Sequence, residues 1–293
     1  MKIYSDLNNY DEQITLAKNL KDTTIHSYNS SVIFHCYWNG VLNEKCLYSI
    51  KSCYYFNVWN RNHRIILWIE NNSKNEYNDL IKKYCKIKIF SLRKEKRKSS
   101  KYSNYELNCN YDPNKGKDNS YFEIRNRSNF IRMLLLYNYG GCWFDTDCYF
   151  LQSFDPLFSN FENDVCLYQW EKQLYPNNAI IISIKPKSKK LESCIDWIIE
   201  NKEYWGFQVS NITYDLPLDM LILPCEWFDG SWVPNPYNLN FKDFFTNTDS
   251  EYTFDNFFPN SFCYHWHNMW NEPIEENSII MQLNKIIDYN LKK

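Results

Sequence analysis

The sequence predicts an α/β fold that forms one Rossmann-like domain, and three observations carry this prediction. Short apolar runs alternate with helical patterns between residues 32 and 90, as in parallel strands that are joined by helices. A dense apolar helix runs into two glycines and a short strand between residues 128 and 147. With 293 residues, of which 44% are apolar, the chain can bury one sizeable core.

The main domain is expected to span residues 32–293, and residues 1–31 are expected to form an extension that packs on it. Asn43 supplies a polar cap for the first helix of the domain. Residues 91–120 interrupt the pattern with a basic run, which fits a mobile solvated loop, an acceptor-side lid or a contact with an anionic partner. The predicted strands cover residues 32–38, 64–70, 86–90, 142–144, 165–170, 177–183 and 221–224, and the predicted helices cover residues 11–20, 43–56, 76–85, 130–137 and 188–201.

Composition excludes several classes of protein. The net charge of −2 gives no broad positive field, so nucleic acid is not expected as a partner. Eleven cysteines without a Cys-x-x-Cys pair indicate reduced, mostly buried thiols rather than zinc ligands. The first residues lack a basic start and an apolar core, and no transmembrane segment is apparent. We therefore expect a soluble, cytoplasmic protein.

Asp145 and Asp147 are the first candidate functional residues, because they directly follow the predicted strand 142–144. In extended chain both carboxylates would face the same side, and they would repel each other unless a cation lay between them. Carboxylate oxygens suit Mg²⁺ or Mn²⁺ that bridges to phosphates. On the preceding helix, Asn129 and Arg132 are three residues apart and share a face. Two solvated aspartates at a strand end are the alternative, but ligands bind at this edge of open α/β sheets.

These residues resemble the signature of the DXD sugar-binding glycosyltransferases. That group includes yeast-type α-mannosyltransferases, capsular polysaccharide enzymes and, more distantly, the glucosylating clostridial toxins. The resemblance implies a GT-A type fold with a mixed central sheet. It also implies transfer of a sugar, with retention, from a nucleotide diphosphate sugar to a glycan or another hydroxyl acceptor, as in polysaccharide biosynthesis. The matching positions are Ser128, Arg132, Leu135, Tyr137, Gly140, Gly141, Trp143, Asp145 and Asp147.

The resemblance also implies roles for residues in this segment. Asp147 would ligate Mn²⁺ or Mg²⁺, and Asp145 would hold ribose or sugar hydroxyls and contribute to the metal site. Arg132 would bind the donor sugar or its phosphate. Asn129 stands where the family has an aspartate, and Trp143 where it has a tyrosine. The amide of Asn129 keeps hydrogen bonding to the donor but removes a charge.

Three other parts of the chain supply the remaining candidates. Asn178 precedes an apolar strand and is expected either to bind donor or acceptor hydroxyls or to finish a turn. The resemblance implies that Trp38 stacks on the nucleotide base, with UDP preferred over GDP, whereas Trp38 taken alone would be a core residue. His35 is expected to be a satisfied buried histidine. Near the C-terminus, His265 lies five residues before a tryptophan, and the resemblance implies that it completes the metal site. An aromatic-rich C-terminal plug with incidental histidines is the alternative. His267 is the alternate ligand, and an imidazole ligand favours Mn²⁺.

Two other functions remain as alternatives. A carbohydrate- or nucleotide-sugar-binding protein without activity gains weight from Asn129. A metal-dependent phosphohydrolase or nucleotidyltransferase also uses paired aspartates, but the chain has no Gly-x-x-x-x-Gly-Lys loop. Residues 205–293 are expected to form the acceptor side and to close the site. Four acidic residues there remain unranked: Asp215, Asp219, Glu226 and Asp229.

Overall fold

The computed structural model describes residues 2–3, 10–24, 28–70, 75–103, 117–170, 176–201 and 220–293. Every predicted strand and helix has a counterpart there, although one helix ends at residue 81 rather than 85. The strands are β1 (Lys2–Ile3), β2 (Ile33–Trp38), β3 (Arg64–Ile69), β4 (Lys86–Ile89), β5 (Gly141–Phe144), β6 (Cys148–Phe150), β7 (Cys166–Gln169), β8 (Pro176–Ser183), β9 (Leu221–Leu223) and β10 (Cys263–His265). The helices are α1 (Tyr10–Thr23), α2 (Glu44–Asn57), α3 (Glu76–Ile81), α4 (Leu92–Arg97), α5 (Lys117–Tyr139), α6 (Asp155–Phe161), α7 (Lys189–Asn201) and α8 (Ile279–Asn290).

The central sheet contains eight strands in the order β1-β9-β7-β8-β5-β2-β3-β4. Strands β5, β2, β3 and β4 run parallel, whereas β8 is antiparallel to both β5 and β7. This arrangement confirms the predicted α/β fold with a mixed central sheet. A separate ribbon pairs β6 with β10 in antiparallel register and places Cys148 opposite His265. The ribbon therefore brings the chain after Asp147 against the C-terminal histidines.

Two glycines fix the junction between α5 and β5. Gly140 has φ +64° and Gly141 has φ +111°, both in the region that L residues rarely adopt. A β carbon on Gly140 would lie 2.2 Å from the carbonyl oxygen of Ile184, and one on Gly141 would lie 2.2 Å from that of Ile33. Only glycine fits here, so this pair sets the direction in which β5 leads to Asp145.

The second half of helix α5 is buried because it lies between the sheet and α7. Its residues Phe130 to Leu136 are all at most 4% exposed, and they pack with Trp143 and Ile181 of the sheet and with Leu191 of α7. This matches the predicted inner helix. Among the described helices, α5 included, none combines the length and apolar character that a bilayer span requires. The ten cysteines of the described residues are free thiols, and nine of them are buried, as expected.

The prediction of a loop for residues 91–120 is wrong at both ends. Residues Leu92–Arg97 form α4, a 3₁₀ turn covers Ser100–Tyr102, and α5 begins at Lys117. Glu95 anchors α4, because its side chain is buried and accepts hydrogen bonds from Tyr139 at 3.0 Å and Lys98 at 3.0 Å. One acidic anchor thus ties the basic segment to α5. Residues 104–116 lie outside the described residues.

The described N-terminal residues contact the central sheet and the C-terminal half of the chain. Strand β1 pairs in parallel with β9, with Lys2 opposite Leu221. The indole Nε1 of Trp227 donates a hydrogen bond of 2.8 Å to the carbonyl of Gln13 in α1.

Asp155, the first residue of α6, ties this helix to the segments that lead into β2 and β3, and its loss is expected to destabilise the fold. Its carboxylate contacts Arg61 Nε at 3.0 Å and His63 Nε2 at 3.0 Å, while His63 Nδ1 accepts the N–H of Val32. Burial raises the pKa of Asp155, but His63 and Arg61 outweigh it and lower the pKa below its ordinary value. Asp155→Asn should therefore lower the free energy of unfolding by about 2–3 kcal/mol in urea titrations near neutral pH.

This stabilisation has a defined pH dependence. Because the folded pKa of Asp155 is depressed, its contribution is present above the ordinary carboxyl pKa and is lost as the pH falls through the folded pKa. The difference between the variant and the unmodified chain should accordingly shrink in acid. Asp79→Asn is the matched control, because the Asp79 side chain is 86% exposed in its pair with Lys82 and should contribute at most about 0.5 kcal/mol. Equal effects of the two substitutions would contradict the assignment.

Candidate active site

The segment that carries Asp145 and Asp147 is a turn. The Asp145 N–H donates to the carbonyl of Ala179 at 2.8 Å, and the Cys148 N–H donates to the carbonyl of Asp145 at 3.0 Å. Thr146 and Asp147 lie in the turn that this second bond closes. The prediction of extended chain here is wrong, because the backbone reverses to enter β6. The two carboxylates consequently have different partners.

Asp145 belongs to a cluster around Arg132. Arg132 Nη2 lies 3.1 Å from Asp145 Oδ1, and Trp143 Nε1 donates to the same oxygen at 2.8 Å. Arg132 Nη1 donates to the side-chain oxygen of Asn178 at 2.7 Å and also to its carbonyl. Burial raises the pKa of Asp145, the Arg132 charge lowers it and Asp147 raises it again, so that it stays above its ordinary value. This cluster joins α5, β5 and β8 at one edge of the sheet.

Asn129 lies in the same cluster, at the position where the resembling family has an aspartate. Asn178 Nδ2 donates to Asn129 Oδ1 at 3.3 Å, and both asparagines are buried. The amide of Asn129 therefore serves as an acceptor, which an aspartate would also do. What differs is the charge, because a carboxylate at this position would be a second acidic group, after Asp145, in the cluster around Arg132.

Asp147 faces the C-terminal segment. Its Oδ2 accepts the N–H of Asn268 at 2.9 Å and lies 3.3 Å from His265 Nε2. The Trp266 N–H also donates to the Asp147 carbonyl at 3.0 Å. Although burial raises the pKa of Asp147, His265 and the Asn268 N–H lower it to about 2. The group is thus a buried carboxylate that stays ionised at neutral pH.

His265 and His267 converge on Asp229, which the sequence left unranked. Asp229 is fully buried, and its Oδ2 lies 2.6 Å from His267 Nε2 and 3.7 Å from His265 Nδ1. His265 and His267 are two positions apart and lie on the same side, as alternate residues of an extended chain do, although the chain turns at His267, where φ is +46°. Their rings stack with centroids 3.9 Å apart. An acidic residue after the aromatic pair Trp227–Phe228 was the only sequence signal for Asp229.

This cluster has the donor chemistry of a divalent cation site. Ligand atoms of Asp147, Cys148 and His265 lie within 4.8 Å of one another, and so do those of Asp229, His265 and His267. Asp229 Oδ1 has no hydrogen-bond partner within the part of the chain that the structure describes. Although burial lowers the pKa of His265, Asp147 and Asp229 raise it well above its ordinary value. The carboxylates thus create a negative potential, which a cation bound by oxygen and nitrogen ligands fits.

Trp38 is the last residue of β2, which lies beside β5. It is therefore at the same end of the strands as Asp145, which follows β5. It is half-buried, its ring centroid lies 4.7 Å from that of Trp270, and its Nε1 donates to the Val41 carbonyl at 3.1 Å. His35, in contrast, is a satisfied core histidine as predicted. It bonds Trp68 Nε1 and the Gly140 carbonyl, each at 3.1 Å, and burial lowers its pKa to about 3.

Comparison with known proteins identifies the class. Residues 70–165 match the family model described as "Glycosyltransferase sugar-binding region containing DXD motif", a range that includes Arg132, Asp145 and Asp147. This confirms the resemblance: the chain carries the DXD glycosyltransferase region and is a glycosyltransferase. Its central sheet is mixed, as the resemblance implies. A search of curated proteins found no match.

Several solved structures are similar to this chain. The PaToxG glycosyltransferase is 17% identical, with 71% of this chain and 80% of that one covered and a TM-score of 0.41. Mouse xyloside xylosyltransferase 1, apo form, is 14% identical, with 84% and 100% covered and a TM-score of 0.47. The glycosyltransferase GlyE of Streptococcus pneumoniae TIGR4 is 11% identical, with 69% and 48% covered and a TM-score of 0.43. The match therefore spans about half of GlyE.

Proposed function

We propose that this glycosyltransferase depends on a divalent metal and moves a sugar from a UDP-sugar to a glycan or another hydroxyl acceptor, with retention. The observation that carries the metal dependence is the buried, ionised Asp147 beside His265 on the β6–β10 ribbon. Asp147 and His265 would hold Mn²⁺, or less favourably Mg²⁺. When bound, the cation neutralises the charge that develops on the departing nucleotide diphosphate.

The cluster around Arg132 would hold the donor sugar and ribose. Asp145 and Asn178 are fixed by the same guanidinium, so their carboxylate and amide groups would meet sugar hydroxyls in one orientation. Asn129 extends this polar surface with a neutral amide. Such orientation matters, because a donor sugar bound at a fixed angle to the acceptor hydroxyl reacts without first losing rotational freedom.

Trp38 would bind the base. Its half-buried ring is supported by Trp270, so the pair forms a rigid aromatic wall beside the sheet edge. Stacking of a base on such a ring contributes about 1–3 kcal/mol and does not distinguish bases by hydrogen bonds. We therefore propose UDP without a hydrogen bond that would recognise its base.

The organisation of the chain supports one catalytic unit, residues 32–293, with residues 1–31 packed on it and residues 205–293 on the acceptor side. Asp229 and His267 lie in the described part of that last segment, and Trp232 stacks on His267 with centroids 4.4 Å apart. Aromatic faces of this kind suit the apolar faces of sugar rings. Of the four unranked acidic residues, Asp215 and Asp219 lie outside the described residues.

A donor and metal screen tests the proposed function. Metal-stripped protein is incubated with UDP- and GDP-sugars and an oligosaccharide mixture, and nucleotide diphosphate release is measured with EDTA, Mg²⁺ or Mn²⁺. We expect release from a UDP-sugar, faster with Mn²⁺ than with Mg²⁺ and at background with EDTA. The anomeric configuration of the product, read by NMR, tests retention.

Other results of the screen would favour the alternatives. Calorimetric binding of nucleotide-sugars without release from any donor would indicate a binding protein. Release of inorganic phosphate or of a nucleoside monophosphate would indicate a phosphohydrolase or a nucleotidyltransferase. Release that is unchanged by EDTA would contradict metal dependence while leaving glycosyl transfer intact.

A further inference from the structure

Tyr168 connects His265 to Asp229 inside the protein. Its hydroxyl lies 2.9 Å from His265 Nδ1 and donates toward Asp229 Oδ2 at 3.5 Å. Tyr168 and Asp229 are both fully buried, whereas the other ring nitrogen of His265, Nε2, faces Asp147. The two nitrogens of His265 thus have different environments: a carboxylate of the DXD segment on one side, and a hydroxyl backed by a second carboxylate on the other.

We infer that Asp229, acting through Tyr168, is a positioning residue that holds His265 with its proton on Nδ1 and its Nε2 free to ligate a cation beside Asp147. The inference rests on the proposed metal dependence and deepens it. A tyrosine hydroxyl has one proton to donate and can accept one. If it donates to the acceptor-only carboxylate of Asp229, it accepts from His265, which then carries its proton on Nδ1.

His267 stabilises the fully buried carboxylate of Asp229, which has the positioning role. Its Nε2 lies 2.6 Å from Asp229 Oδ2, and its ring is held between Trp232 and His265, with centroids 4.4 and 3.9 Å away. Phe241 closes a further side at 4.7 Å. A buried charge is tolerated when it is paired and hydrogen-bonded. His267 therefore fixes Asp229, Asp229 fixes Tyr168, and Tyr168 fixes His265.

Metal-binding histidines commonly have a carboxylate, carbonyl or water on their second nitrogen, and loss of that partner lowers metal affinity about 10–100-fold. Tyr168→Phe is the sharper variant here, because it removes one oxygen without changing any charge or the ring that packs on Phe228. Asp229→Asn removes a charge as well, so a weaker cation affinity in that variant alone could come from the altered potential. The tyrosine variant separates orientation from charge.

The test measures Mn²⁺ binding in the presence of saturating UDP, by the EPR signal of free Mn²⁺. We expect Tyr168→Phe and Asp229→Asn each to weaken Mn²⁺ binding by about 10-fold or more. Tyr149→Phe is the matched control, because its buried hydroxyl lacks a hydrogen-bond partner among the described residues, and Glu226→Gln is the control for Asp229. Both controls should bind Mn²⁺ like the unmodified protein. In ¹⁵N-correlated NMR spectra recorded with UDP and diamagnetic Mg²⁺ bound, His265 should carry its proton on Nδ1, and Tyr168→Phe should reduce that preference.

Two outcomes distinguish this inference from the proposed function. If His265→Gln weakens Mn²⁺ binding but Tyr168→Phe changes it by less than about threefold, the positioning role is overturned and the metal site stands. If the unmodified protein does not bind Mn²⁺ with UDP, the metal proposal fails and the inference with it. Should Asp229→Asn unfold the chain, the tyrosine variant and the NMR spectrum still decide the question.

Discussion

Replacing Asp147 by asparagine is expected to lower kcat/KM for nucleotide-sugar turnover by roughly 10³-fold, which is about 4 kcal/mol. The carboxylate has a pKa of about 2, so it is ionised at any pH where the enzyme is assayed. Asparagine keeps the shape and can still accept the N–H of Asn268, but it removes the charge that holds a divalent cation. Steady-state kinetics with Mn²⁺ at several concentrations measure the loss.

The control for this prediction is Asp288→Asn. Asp288 also pairs with a cation, Lys51 Nζ at 2.9 Å, but its side chain is half exposed on α8. That variant should retain its activity. Turnover of the Asp147 variant at the rate of the unmodified protein would contradict the proposed metal site. A lost turnover with unchanged Mn²⁺ affinity would move the role of Asp147 from the metal to the donor.

Most of the fold is predictable because its signals are local. The central strands are nearly continuous apolar runs, the form that strands covered on both faces must take. Asn43 caps α2 by accepting the Cys46 N–H at 3.0 Å, as its polar side chain predicts. Helix α4 was missed because what anchors it is tertiary: Glu95 is buried only when Tyr139 of α5 lies against it. A run of lysines and arginines by itself resembles a solvated loop.

The candidate site also has residues that the sequence predicts and residues that it does not. Arg132, Asp145 and Asp147 lie within sixteen consecutive positions of a recognisable signature, so one stretch of sequence predicts them together. Asp229 and His267 are thirty-eight positions apart, and they meet only in the folded chain, where His267 takes a left-handed conformation. No periodicity encodes such a turn. Asp145 and Asp147 likewise have different partners because the chain turns between them. The strand-like pattern of the sequence does not predict that turn.

Arg132→Lys is expected to lower kcat/KM by about 100-fold, the effect of misplacing a reactant by about 1 Å. The guanidinium contacts three acceptors at once: Asp145, the side-chain oxygen of Asn178 and its carbonyl. It also lies over the Trp143 ring, 5.2 Å from its centroid. Lysine keeps the charge but is a point donor without the planar fork, so it cannot hold Asp145 and Asn178 together.

Arg61→Lys provides the comparison, because Arg61 also contacts a carboxylate, that of Asp155, but is 31% exposed and remote from the DXD turn. We expect that variant to retain its activity and to lose a little stability. The two roles of Arg132 can also be separated. If charge alone mattered, Arg132→Lys would behave like the unmodified enzyme. If geometry matters, both Arg132→Lys and Asn178→Ala should raise KM for the donor while Mn²⁺ affinity, which depends on Asp147, changes little. An unaltered KM in both variants would show that the Arg132 cluster supports the fold and does not contact the donor.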